Sequence, residues 1–220
     1  MRNLPIAASA AVLATGLTAL PAAAEIELSF YGGVQDAPHS RVEGDDGTDD
    51  FNFLADWEGR SGEAPPHYGI RATWWRSANL GFGIELDHSK VYASDDTLED
   101  EGFDQLEMTD GINFLTANVF YRWPRQFASG AITPYVGAGA GLSVPHVEVE
   151  RNGSDTFEYQ VTGPAVALMA GASYALTDAW SVFGEYKVTY SSNTADLDNG
   201  GELKTDIVTN ALNIGLSYSF

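Results

Sequence analysis

The chain has no cysteine among its 220 residues. An oxidising compartment is open to it, but it builds no disulfide framework there. Cations are scarce: 11 Lys and Arg stand against 31 Asp and Glu, for a net charge of −20. That balance excludes nucleic acid as a partner, because phosphate binding needs a basic face. An acidic surface suits divalent cations or the cation-bridged lipopolysaccharide of an outer leaflet, and acidic loops also keep a chain soluble. Beyond the first two dozen residues, no apolar run reaches the roughly 20 residues a membrane helix needs. Nucleophile triads, phosphate-cradling glycine loops and dinucleotide fingerprints are also missing.

The first residues form a targeting segment. Arg2 gives a positive start, Ile6 to Leu20 is an apolar stretch broken by Ser, Thr and Gly, and Ala22-Ala23-Ala24 supplies small residues for cleavage before Glu25. Residues 1–24 are therefore expected to be a signal peptide and residues 25–220 a single domain.

That domain alternates with period two, the mark of strands. At the end of the chain, Val208, Leu212, Ile214, Leu216, Tyr218 and Phe220 fall on one face. Thr209, Ala211, Asn213, Gly215, Ser217 and Ser219 fall on the other, small and polar throughout. The first face suits lipid and the second a narrow lumen. Similar alternation near residues 26–31, 68–75, 80–87, 115–123, 135–143, 166–174 and 180–188 brings the total to eight, an even number as single-chain bacterial barrels require. Gly137, Gly139 and Gly141 are lumen positions within one of these strands. The expected fold is all-β: an eight-stranded antiparallel up-and-down transmembrane β-barrel, expected to be a monomer.

Connections near Ser77-Ala78, Pro124 to Ser129 and Thr177-Asp178 are short. Those at Asp36 to Pro66, Ser94 to Asp110, Arg151 to Thr156 and Asn193 to Glu202 are mostly longer and more polar. In the outer membrane of a Gram-negative bacterium, the short turns and both termini would face the periplasm and the longer loops the outside. Trp74, Phe82, Tyr121, Trp123, Tyr174, Trp180, Tyr218 and Phe220 then form a periplasmic aromatic girdle. Asn213-x-Gly215-x-x-Tyr218-x-Phe220 resembles the C-terminal motif read by the outer-membrane assembly machinery, an expected partner.

By alternation Glu27, Arg71, Glu85, Asp87, Arg122, Glu185 and Lys187 point into the lumen. Charges so deep must be paired, because an isolated buried ion costs several kcal/mol. Either a salt-bridged plug or a proton path fits them. The histidines His39, His67, His88 and His146 map to the opposite end, with Asp36, Glu58, Asp87 and Glu148 near them in sequence. Imidazole with carboxylate is a ligand set for zinc or iron, and two histidines with one carboxylate leave positions open for oxygen-using iron. His39, His88 and His146 are the candidate metal ligands. The acidic run Asp95-Asp96, Glu99-Asp100-Glu101, Asp104 lacks the spacing and central glycine of an EF-hand and reads as a solvated loop.

Thr133-Pro134-Tyr135-Val136-Gly137-Ala138-Gly139-Ala140-Gly141 and Phe183-Gly184-Glu185-Tyr186-Lys187 resemble the broad family of small outer-membrane β-barrel proteins. A narrower resemblance lies in Glu25 to Gly33, Ala37-Pro38-His39-Ser40, Ala72-Thr73-Trp74-Trp75-Arg76 and Val144-Pro145-His146-Val147-Glu148-Val149, which are similar to alphaproteobacterial lipid A oxidases. That resemblance implies oxidation of the proximal glucosamine of lipid A to 2-aminogluconate, using oxygen and a divalent metal, iron being favoured. It implies lipid A or lipopolysaccharide as the partner. On this view His39, His88 and His146 hold the metal, Glu58 or Glu148 serves as ligand or base, and Arg41 or Lys90 contacts lipid phosphate. The rival expectation is a non-enzymatic surface barrel, an adhesin or envelope-stabilising protein. A small-solute pore is disfavoured by strand count and by the charged lumen.

Overall fold

A computed structural model describes residues 25–220, apart from the side chains of Thr109 and Asp110. The expected signal peptide lies outside the described residues. The strands are β1 (Glu25–Asp36), β2 (Ser40–Asp45), β3 (Asp50–Ala55), β4 (Trp57–Glu58), β5 (Tyr68–Trp75) and β6 (Leu80–Ala93). After a helix α1 (Asp95–Glu101) come β7 (Gln105–Arg122), β8 (Ile132–Arg151), β9 (Ser154–Tyr159), β10 (Gly163–Ala175), β11 (Trp180–Asp196) and β12 (Glu202–Ser219). Eight of them form an antiparallel ring in the order β1-β5-β6-β7-β8-β10-β11-β12, closed where Leu28 of β1 pairs Tyr218 of β12. The expected barrel is present. The short strands gather at the end away from the termini: β2 on β12, β3 on β2, β4 on β6 and β9 on β8.

At one height, several strands exchange the polarity of their two faces. On β6, Phe82, Ile84 and Leu86 point outward and are exposed, while Glu85 and Asp87 are buried within. Two residues further on, His88 and Lys90 continue the outward row, and Val91 and Ala93 continue the inward one. On β8 the outward row runs Val136, Ala138, Ala140, Leu142 and then His146 and Glu148; the inward row ends in Val147 and Val149. On β12, the inward Asn213, Ala211 and Thr209 give way to Ile207 and Leu203, as outward Leu212 gives way to Asp206 and Lys204. Below this height the ring presents apolar side chains to lipid around a polar lumen. Above it the strands carry an apolar interior and a polar exterior, as a water-soluble barrel does. The lipid-facing band therefore ends at Leu86, Leu115, Leu142 and Val166.

The upper interior is filled by Val42, Phe51, Phe53, Trp57, Phe103, Leu106, Met108, Ile112, Phe114, Val147, Val149, Leu203 and Ile207, all buried in one cluster. Phe103 meets Phe51 edge-on with ring centroids 5.4 Å apart, and the Arg151 guanidinium sits 4.9 Å from the Phe103 ring centre. Arg151 is held in turn by Asp46 at 3.0 Å.

Besides β2, β3 and β4 in the first long connection, two other connections carry regular structure. Residues 94–110 contain a helix and the start of β7. The Ser94 side chain accepts the Thr97 N–H, Asp95 and Asp96 stand in the positive first turn, and Gly102 at φ 70° ends the helix. The Arg151 to Thr156 connection is a hairpin whose two turn residues, Asn152 and Gly153, both have positive φ. Such residues match the twist of the paired strands.

Candidate functional site: an outward ledge above the lipid-facing band

Immediately above the apolar band, the outer wall of β6, β7 and β8 carries buried polar groups. They point away from the lumen, because alternation along each strand fixes the face. Cross-strand register aligns Tyr92, Glu107, Glu148 and Phe157 in one row over β6, β7, β8 and β9. A lower row runs from Tyr68 through His88 to Asn113 and Val144. Between the rows β7 bulges: Glu107 to Ile112 spans five steps where Glu148 to Pro145 spans three. Gly111, within that bulge, has φ 106°, and a Cβ there would lie 2.2 Å from His88 Nδ1, so only glycine fits.

His88 is 3% exposed. Its ring stacks on Tyr68 at 4.9 Å, and its Nδ1 is 3.0 Å from Asn113 Oδ1. Asn113 Nδ2 donates to the Gly111 and Val144 carbonyls, so its Oδ1 must accept from His88 Nδ1–H. Among the described residues, His88 Nε2 is buried without a hydrogen-bond partner. Lys90, fully buried, donates to the Glu63 carbonyl at 3.0 Å and to Tyr92 Oη at 3.3 Å. The Arg60 guanidinium covers the Tyr92 ring at 4.5 Å.

The upper row ends in a linked set of acids and an imidazole. Gln105 Nε2 donates to Glu107 and, at 2.8 Å, to Glu148 Oε2. Glu148 Oε1 lies 2.8 Å from His146 Nδ1. Burial raises the Glu107 carboxyl above its ordinary value, and the neighbouring Glu148 carboxylate adds to the rise. The His146 ring stands between Phe157 and Tyr159, at centroid distances of 4.4 and 4.6 Å. Both of those rings are largely exposed.

The expected metal ligands do not converge. His39 lies in the turn after β1, exposed and 2.7 Å from Asp56, while His88 and His146 face outward from strands separated by β7. Among the described residues, no three His, Cys, Asp or Glu side chains gather to hold a metal ion. A metal on His39, His88 and His146 does not fit this arrangement. Glu58, bound by Arg60 at 2.7 Å, pairs Tyr92 from β4 and so stands at the end of the row that holds Glu107 and Glu148. Lys90 is buried under the segment bearing Glu63, so it presents no ammonium to lipid phosphate as placed. Arg41 is exposed on β2 beside Asn52.

The lumen side chains form one network. Arg71 grips Glu185 with two hydrogen bonds of 2.8 and 2.9 Å and reaches Glu85 at 3.0 Å. Lys187 binds Glu85, Tyr31 and, at 2.9 Å, Asp87. Tyr135 donates to Glu185 at 2.9 Å and Asn118 to Glu85 at 3.0 Å. Near the termini Arg122 pairs Glu25 at 2.7 Å, with Glu27 at 4.0 Å.

Residues 9–220 match the family model of the outer membrane protein beta-barrel domain. The chain belongs to that family. Such a barrel resides in the outer membrane, which accounts for the apolar outer band. No curated protein matches this outer-membrane barrel in sequence. Solved structures that share its fold include the following two. Neisserial surface protein A is 16% identical with a TM-score of 0.50, and the match covers 90% of this chain and 97% of that one. The outer membrane protein AlkL, determined in lipid bilayers, is 16% identical with a TM-score of 0.51, covering 100% of this chain and 97% of that one. At such identities the likeness concerns the fold alone.

Sequence reasoning missed Glu107, Gln105, Asn113 and Tyr92 in this outer-membrane barrel. The signal for Glu107 was available only through register, since β7 must pass between the His88 and His146 strands. Gly111 was less legible still, because its bulge depends on pairing with both neighbours.

Proposed function

We propose that this outer-membrane barrel acts on the head group of lipid A, with the ledge facing the outer leaflet and both termini in the periplasm. The chain would be exported with residues 1–24 removed. One observation carries the reading: titratable groups are buried on the outer wall, directly above lipid-facing Leu86, Leu115 and Leu142. A water-filled pore or a periplasmic enzyme has no use for imidazoles and carboxyls there. A glycolipid whose acyl chains lie along that apolar wall brings its sugars to the height of His88, Glu107, His146 and Glu148. The exposed Phe157 and Tyr159 rings offer flat surfaces for a pyranose.

The finer reading is lipid A oxidase, in which dioxygen oxidises the proximal glucosamine to 2-aminogluconate. Its support is the sequence resemblance, which includes the His146 and Glu148 segment. The three histidines first assigned to a metal lend it none. Mass spectrometry of lipid A from a deletion strain and its complemented parent tests it. The expected result is loss of the aminogluconate-bearing species on deletion and its return on complementation. Identical lipid A in both strains would overturn the enzymatic reading and leave the non-enzymatic surface barrel.

A further inference from the structure

The His146-x-Glu148 spacing places both side chains on one face of β8, two residues apart. Their hydrogen bond at 2.8 Å joins Nδ1 to Oε1. An ionised carboxylate only accepts, so the hydrogen bond makes Nδ1 the donor, and a neutral ring so held has its lone pair on Nε2. Glu148 cannot turn away, because Gln105 holds its other oxygen. The ring itself packs against Phe157 and Tyr159 of β9. A carboxylate that fixes the tautomer and orientation of an imidazole from behind is the arrangement of a general base.

We infer that His146 is the proton acceptor of the ledge, with Glu148 as its positioning residue, and that it takes the proton from a sugar hydroxyl of lipid A. This rests on the lipid A reading above. In the step the sugar O–H bond breaks, an N–H bond forms at Nε2, and the electron pair stays on the sugar oxygen. The exposed faces of Phe157 and Tyr159 seat the C–H side of the ring being deprotonated. Metal ligation, the role first expected of His146, is replaced by acid–base work, while the two electrons of the oxidation go to dioxygen.

Full-length protein labelled with 15N-histidine, in lipid nanodiscs with and without purified lipid A, provides the test. His146→Gln assigns the signal. Wild type should show His146 protonated at Nδ1, with a pyridine-type Nε2 resonance that moves upfield when lipid A is added. Glu148→Ala should release the ring to the Nε2–H form preferred by free imidazole. An Nε2–H tautomer in wild type, or a resonance that lipid A leaves unmoved, would overturn the inference. In turnover assays with lipid A and oxygen, His146→Gln should lose about 10²–10⁴-fold in rate, with lipid A affinity retained. Full turnover in that variant overturns the inference and leaves the lipid A reading standing. Absence of turnover in wild type, with unaltered lipid A in the deletion strain, defeats the reading itself. Heat-modifiable migration on gels confirms that each variant forms its barrel, and His146→Asn serves as a second substitution.

Discussion

Lys187 shows how much rests on a single lumen side chain. It bonds Glu85, Asp87 and Tyr31, and it and Arg71 are the two cations that face three buried carboxylates, Glu85, Asp87 and Glu185. Removing one partner of a buried pair leaves the other as an uncompensated charge, typically costing about 3–5 kcal/mol. Lys187→Met should therefore lose stability in that range, measured by urea unfolding in bilayers through tryptophan fluorescence. Lys204→Met, which removes an exposed ammonium paired with Glu202, should leave the midpoint unmoved. Glu107 has the opposite character. Its carboxyl is raised above 4.5, so the folded protein holds that proton more tightly than the unfolded chain does. The resulting stability is complete below the ordinary value and falls away as pH rises through the folded one. Glu107→Gln, neutral throughout, should remove that decline when unfolding is followed upward from pH 4.5.

At the scale of elements, the polarity exchange divides the strands into a spanning part and an upper part with a conventional apolar core. Phe103, between α1 and β7, packs on Phe51 and Phe53 there. Phe103→Ala should cost about 3–5 kcal/mol, as large-to-small core changes do. Hydrogen exchange should rise in β2, β3, α1 and the first residues of β7, while the spanning parts of β7 and β8 keep their protection. Equal loosening throughout would mean that the two parts are one cooperative unit. The spanning strands were legible because the period-two pattern is local: Leu80 to Asp87 declares both faces without reference to any other residue. The upper part was less so. Ser94 and Gly102 bracket α1, but the acidic run between them reads equally well as a solvated loop until Thr97 and Phe103 are seen to be buried. Likewise, alternation assigns Lys90 to the outer wall, yet its burial depends on Glu63 folding across from a distant connection. His39, His88 and His146 all lie toward one end of the barrel, which suggested convergence. The strand faces and the intervening β7 keep them apart.

The whole molecule is one tube with two kinds of stopper. Below the exchange of polarity the lumen is crossed by the Arg71–Glu185–Glu85–Lys187–Asp87 network, in which two cations bridge three carboxylates that are largely excluded from solvent. Above it the bore is filled by aromatic and aliphatic side chains. An ion entering from either end would have to strip its hydration shell against a closed salt-bridge lattice and then cross an apolar core, and each step alone costs many kcal/mol. Reconstituted into planar bilayers, the protein should give no single-channel steps at any holding potential that the bilayer withstands. Lys187→Met leaves the apolar stopper in place and should remain silent. A variant lacking residues 40–58, which removes β2, β3 and β4 from the upper core, should still be blocked by the ion network. Steady conductance in wild type would refute the two-stopper account and make the lumen the functional path. Silence in all three is the expected result, because either stopper alone closes the bore to ions.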